Sequence, residues 1–193
     1  MSMNADQLDR VLGALGATLA TRGLHYELVA IGGSGLMLLG VVSRATTDLD
    51  VVALVRDGAY VAAEPLPAPL SEAVEDVGRA FGLSAQWVNA GPTELLRFGL
   101  PDGFVERVQT RTFGGLKLHF AGRFDQVCFK VYAAADQGLL SKHVADLRAL
   151  EPSSDELLAA ARWSTTHDTS EGYRQELVSL LGSLGVEGAD ERL

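Results

Sequence analysis

Two aspartates separated by a single residue, in Asp48-Leu49-Asp50-Val51, are the side chains of this sequence best placed to do chemistry. On a strand, alternate side chains share a face, so Asp48 and Asp50 project together while Leu49 and Val51 point the other way. Like charges held side by side repel unless a cation lies between them. Mg²⁺, or Mn²⁺ in its place, takes such oxygens and completes its shell with water and substrate phosphates. A second ion would assist in-line displacement at phosphorus. Upstream, thirteen residues separate Asp48 from Ser34 in the stretch Ile31 to Gly40, "IGGSGLMLLG". A glycine turn that opens a helix presents backbone N–H groups to an anion. Together the turn and the paired aspartates describe a device for holding a nucleoside triphosphate and its metal, with Gly33 and Ser34 on the phosphate side.

Three familiar readings of the glycine turn fail on specific residues. A P-loop needs Lys-Ser/Thr after its second glycine, which is missing. The dinucleotide fingerprint, started at Gly33, meets Leu38 where its last glycine should stand. A nucleophile elbow needs glycine two places after the serine, where Leu36 stands. The bland alternative is a tight turn at Gly32-Gly33 with Ser34 capping the next helix.

A second group of residues lies toward the C-terminus. In "QVCFKVYAAADQ", Gln126 to Gln137, Lys130 is the one basic side chain, and helical spacing puts it among Val127, Val131 and Ala134. A lysine on an apolar face either snorkels outward or meets an anion. In the following helix Asp146 borders the stripe Leu140, Val144, Leu147, so Lys130 and Asp146 are expected to form a structural ion pair or to serve a cleft. Lys142, four residues before Asp146, is the surface alternative as its partner. His143 is expected to pack near the core stripe, His119 to take a core or surface position, and Trp87 and Trp163 to anchor cores.

These residues need elements to hold them. A helix is expected over 6–21, a strand over 25–31, a short helix over 34–39 and a buried strand over 48–55. Prolines at 65, 67 and 69 make 56–69 a loop or edge segment. A helix over 71–81, a strand over 84–88, a short helix over 93–98 and a hairpin of 104–112 with 116–121 follow. From Phe124 the pattern is helical, at about 125–137, 140–150, 154–164 and 171–184, and the tail 185–193 is expected to fray. The layout is an α/β core over 1–122, a mixed sheet flanked by helices, and a helical part over 123–193 that completes the active-site cleft.

The composition limits the partners. The chain has 193 residues, 47% of them hydrophobic and 21% charged, with a net charge of −9. That charge disfavours broad binding to nucleic acid or anionic membrane. Against this sign, Arg97, Arg107, Arg111, Lys117 and Arg123 cluster in one segment that could face an RNA backbone. A lone cysteine, Cys128, excludes an intrachain disulfide. The first residues lack a leader pattern and the longest apolar run is too short for a bilayer, so a cytoplasmic location with no membrane partner is expected.

Gly33-Ser34, the thirteen-residue interval and Asp48-Leu49-Asp50-Val51 resemble the signature of the nucleotidyltransferase superfamily with the polymerase-β-like core, and among its minimal members the AbiEii/MenT-type toxins of toxin–antitoxin systems. Arg44, Thr46, Asp48 and Asp50 match that group's Arg-x-Thr-x-Asp-x-Asp element. The resemblance implies transfer of an NMP from an NTP to an acceptor, a tRNA 3′ end or a protein hydroxyl, with a cognate antitoxin as a further partner. It implies Asp48 and Asp50 as metal ligands and Gly33, Ser34, Arg44, Thr46 and Lys130 as nucleotide-binding residues. Lys130 would contact phosphate, and Asp146 would orient it or help activate the acceptor. A third carboxylate is common in such sites; Glu106, inside an expected strand, and Asp125 both remain open for that place. The competing expectation is a noncatalytic module that keeps the fold to bind a nucleotide or an antitoxin.

Overall fold

In the computed structural model, which describes residues 2–193, the chain divides into two compact units. One runs through Gly99 and resumes over Val105–Ala121; the other comprises Leu100–Phe104 and Gly122–Leu193.

The first unit contains six strands: β1 (Tyr26–Ile31), β2 (Leu49–Arg56), β3 (Ala59–Val61), β4 (Val88–Asn89), β5 (Gln109–Phe113) and β6 (Leu116–Phe120). They form one mixed sheet in the order β3-β2-β1-β6-β5, with β4 also paired to β2. β1 lies antiparallel to β2 and parallel to β6, and β4 is parallel to β2. β2 is interior because its run from Val51 to Leu54 is buried on both faces, each such side chain contributing about 1.5–3 kcal/mol when removed from water. Helix α1 (Ala5–Thr21) begins at Asn4, whose side chain exchanges capping bonds with Gln7. Its stripe of Leu8, Leu12, Leu15 and Leu19 joins Leu28, Ala30, Leu49 and Leu118 in a single core, together with Leu70 and Val77 of α3 (Ala68–Phe81). The short helix α2 (Gly32–Leu38) follows β1 directly.

Two expectations for this unit are corrected. Residues 84–87 make a turn, closed by the Trp87 N–H on Ser84 O at 3.2 Å, so the expected strand over 84–88 shrinks to Val88–Asn89. The turn drops Trp87 into the core, where its indole N–H donates to Val74 O. Glu106 is not inside a strand: Gly103 adopts φ +71° and the chain makes one helical turn, α4 (Phe104–Arg107), before β5 begins. Glu106 is exposed there.

The second unit is helical, with α5 (Arg123–Gln137), α6 (Lys142–Leu150), α7 (Ser154–Ser164), α8 (Glu171–Ser183) and α9 (Ala189–Arg192). Ser153 and Glu156 form a capping box for α7. Edge-to-face rings of Phe104, Phe129 and Trp163 pack beside α5. The tail does not fray: Val186 and Ala189 are buried, Arg174 pairs with Asp190 and Arg192 with Asp155. Trp163 is only half-buried, set edge-on against His167 rather than sealed in a core.

Candidate active site

β1 and β2 bring the glycine turn to the aspartates. Their antiparallel register sets Ile31 opposite Asp50, so the chain leaving β1 enters α2 beside the start of β2. Gly32 takes φ +76°, a left-handed conformation that disfavours any Cβ. A Cβ there would also lie 2.4 Å from Asp50 Oδ2, so the carboxylate rests directly over the glycine. The next residue is approached from the other side. A Cβ on Gly33 would lie 3.3 Å from a guanidinium nitrogen of Arg44 and 3.5 Å from Thr46 Oγ1. Arg44, Thr46, Asp50 and the Gly32-Gly33 turn therefore converge, although a loop of irregular chain separates them in sequence.

Two devices hold that loop. Thr46 and Met3 exchange backbone hydrogen bonds, Met3 N–H on Thr46 O at 2.6 Å and Thr46 N–H on Met3 O at 2.9 Å, which ties the loop to the residues before α1. The buried Thr46 hydroxyl donates to Asp48, 3.1 Å from its carbonyl and 3.4 Å from its Oδ1. Asp48 sits one residue before β2 and Asp50 inside it, both half-buried. Ser34 does not cap α2: its side chain is fully buried and its hydroxyl donates back to Ile31 O at 3.4 Å.

Asn89 stands directly across from Asp50 in the parallel β2–β4 pair and donates from Nδ2 to Asp50 Oδ1 at 2.8 Å. Its own Oδ1 accepts the Gly91 N–H at 3.1 Å. Sequence reasoning missed this residue, because a two-residue strand has no alternation to read. The one signal was an asparagine ahead of Ala-Gly-Pro, where a chain turns.

In the helical unit, Lys130 Nζ lies 2.8 Å from Asp146 Oδ2, and the two side chains are 4% and 1% exposed. Lys142, by contrast, is exposed at the start of α6, so the buried Asp146 faces Lys130 and not Lys142. Asp125, fully buried, lies in the first turn of α5. His143 is half-buried, its Nε2 3.1 Å from Gln137 Oε1.

The basic segment does not stand free. Lys117 pairs with Glu27 at 3.1 Å and Arg111 with Asp9 at 3.5 Å, and Arg111 also donates to Leu38 O. Arg123 donates to Leu150 O and Glu151 O at the end of α6 and pairs with Glu156. Arg97 lies over the Phe98 ring. His119 bridges Thr110, at Nδ1, and Glu27, at Nε2, both at 2.9 Å. Those contacts hold the Glu27 carboxyl below its ordinary range, the His119 hydrogen bond most of all. A cleft of about 460 Å³, lined by Tyr26, Glu27, Arg56 and Lys117 among others, lies at the start of β1 and the end of β2, the opposite end from Asp50.

The oxygens of Asp48 and Asp50 suit a hard divalent cation. No group of three or more His, Cys, Asp or Glu able to hold a metal occurs among the described residues. Two carboxylates alone leave most of such an ion's shell to water and phosphate, which Mg²⁺ accepts. No helix among the described residues is long and apolar enough to cross a membrane.

No match was found among curated proteins or among solved structures. A family described as a nucleotidyltransferase of unknown function (DUF6036) matches residues 7–140. The matched span holds the glycine turn, Arg44, Thr46, Asp48, Asp50, Asn89 and Lys130, and leaves Asp146 outside. With well over half its length matched, the chain belongs to this nucleotidyltransferase family.

Proposed function

We propose that the protein is a metal-dependent enzyme that transfers an NMP group from an NTP to an acceptor hydroxyl, on a tRNA 3′ end or on a protein, as a toxin of the AbiEii/MenT type held in check by an antitoxin. The observation that carries this reading is the convergence of Asp50 on Gly32 and of Arg44 and Thr46 on Gly33. Arg44, Thr46 and Asp50, separated along the chain, meet at one turn, and the Asp50 carboxylate lies over its left-handed glycine. In this reading the Gly32-Gly33 turn and the Arg44 guanidinium receive the triphosphate, and Thr46 fixes Asp48. Ser34, buried and bonded to Ile31, serves the shape of the turn.

Asp48 and Asp50 would hold Mg²⁺, whose charge, when bound, neutralises the phosphates as negative charge develops. The acceptor oxygen forms a bond to the α-phosphorus, the bond from that phosphorus to the oxygen bridging to the β-phosphate breaks, and pyrophosphate departs. The hydroxyl proton passes to solvent. Lys130 and Asp146 belong to the proposed catalytic set on the strength of the resemblance.

The test is incubation of the purified chain with each NTP labelled at the α-phosphate, Mg²⁺ and total tRNA. Label in RNA identifies a tRNA acceptor, and label in protein a protein hydroxyl. Label in neither, with tight NTP binding, favours the noncatalytic module that two intact aspartates argue against.

A further inference from the structure

Asn89 is bonded on both ends of its amide, and each end demands a particular chemistry. Its Nδ2 donates to Asp50 Oδ1 at 2.8 Å, and its Oδ1 accepts from the Gly91 N–H at 3.1 Å. These two partners settle which way the amide faces, because a carboxylate only accepts and an N–H only donates. An aspartate at 89 could take the second bond but not give the first. The parallel pairing of β4 with β2 sets Asn89 opposite Asp50, and β4 itself is only two residues long. Of the two Asp50 oxygens, Oδ1 takes the amide and Oδ2 lies over Gly32.

We infer that Asn89 is a positioning residue that orients the Asp50 carboxylate for the divalent cation, an inference that rests on the metal-dependent reading above. A carboxylate side chain turns readily about its last torsion, whose energy profile is broad. One neutral donor at Oδ1 fixes that torsion without adding charge, so the carboxylate keeps its negative charge for the ion. Asn89 thus acts through Asp50. Residues that orient metal-binding carboxylates in this way typically account for about 10–100-fold in metal affinity or activity.

The test measures binding of Mn²⁺ alone to the full chain, by electron paramagnetic resonance of the free ion, for wild type, Asn89→Ala and Asn89→Leu. The leucine fills the amide's volume, so it covers the case in which alanine loosens β4. The expected result is a folded variant whose Mn²⁺ dissociation constant rises about 10-fold or more, with transfer recovering as Mn²⁺ is raised. If wild type binds Mn²⁺ and both folded variants bind it equally well, the assignment of Asn89 is overturned while the proposed function stands. Affinity lost only in proportion to unfolded protein overturns it too. A wild-type chain that neither binds Mn²⁺ nor transfers a nucleotide overturns the metal-dependent reading, and this inference with it.

Discussion

The two units each hold a pair of charged side chains, and the pairs are built on opposite terms. In the helical unit Lys130 and Asp146 carry opposite charges, lie 2.8 Å apart and are sealed from water. In the α/β unit Asp48 and Asp50 carry the same charge and are half-buried; a threonine hydroxyl reaches Asp48, an asparagine amide reaches Asp50, and Asp50 lies over the bare surface of Gly32. A buried opposite pair answers its own desolvation and adds little beyond holding two helices in register. Two like charges held in fixed orientation add nothing to stability. Under the proposed function such a pair is held for a cation that arrives from outside.

Substitutions can break this contrast at several points. The largest effect is expected at the aspartates. Asp48→Asn or Asp50→Asn should lower nucleotidyl transfer by roughly 10²–10³-fold or more, and Asp48→Asn should melt at or slightly above wild type because repulsion is relieved. Transfer rates beside melting curves provide the check, and a fully active variant would remove the site.

Next comes the buried pair. Lys130→Met should destabilise by about 3–5 kcal/mol, since Asp146 is left charged and buried, while the double variant Lys130→Met/Asp146→Leu should recover most of the loss. If both residues also serve transfer, as proposed, the double variant folds and stays inactive. If activity returns with folding, the pair is structural and the contrast between the units is sharpened.

Gly32→Ala should cost about 1–3 kcal/mol from its left-handed backbone and lower transfer beyond the loss of folded protein, because the new Cβ displaces Asp50. An alanine variant with normal activity would show that the carboxylate's place over the glycine is incidental.

The smallest effect is expected at Glu27, at the other end of the sheet. Its carboxyl is held below its ordinary range first by the His119 hydrogen bond and then by Lys117. A depressed folded-state pKa gives stability that is present above the ordinary carboxylate range and lost as pH falls through the lowered value. Glu27→Gln should therefore lower stability at neutral pH by less than about 1 kcal/mol, as for an exposed pair, with the difference from wild type vanishing in acid. Melting temperatures across that acid range test it; a difference that grows as pH falls would contradict the assigned sign.

Periodicity made much of this protein legible before any coordinates. The long helices α1, α5, α7 and α8 announce themselves because apolar residues repeat at helical spacing over three or more turns. β2 is equally plain, because an interior strand must be apolar on both faces. The glycine turn and Asp-x-Asp are local patterns, and local chemistry suffices to suggest metal and phosphate. What lacked a period was misread: the single helical turn that carries Glu106, the short β4, and the tail, whose order comes from Val186, Ala189 and ion pairs to distant helices.

Spacing also could not show which charges meet. Four-residue spacing on one helix offers Lys142 as a surface partner of Asp146, and only the packing of α5 against α6 selects Lys130. Nor could it show that Asn89, thirty-nine residues beyond Asp50, reaches that carboxylate. The sequence by itself determined the elements and the chemistry of the residues they carry, because propensity, amphipathic period and side-chain acidity act within a few residues. Tertiary structure alone decided how that chemistry is aimed, because the register of β1, β2 and β4 and the left-handed turn at Gly32 arise from pairing across long stretches of chain.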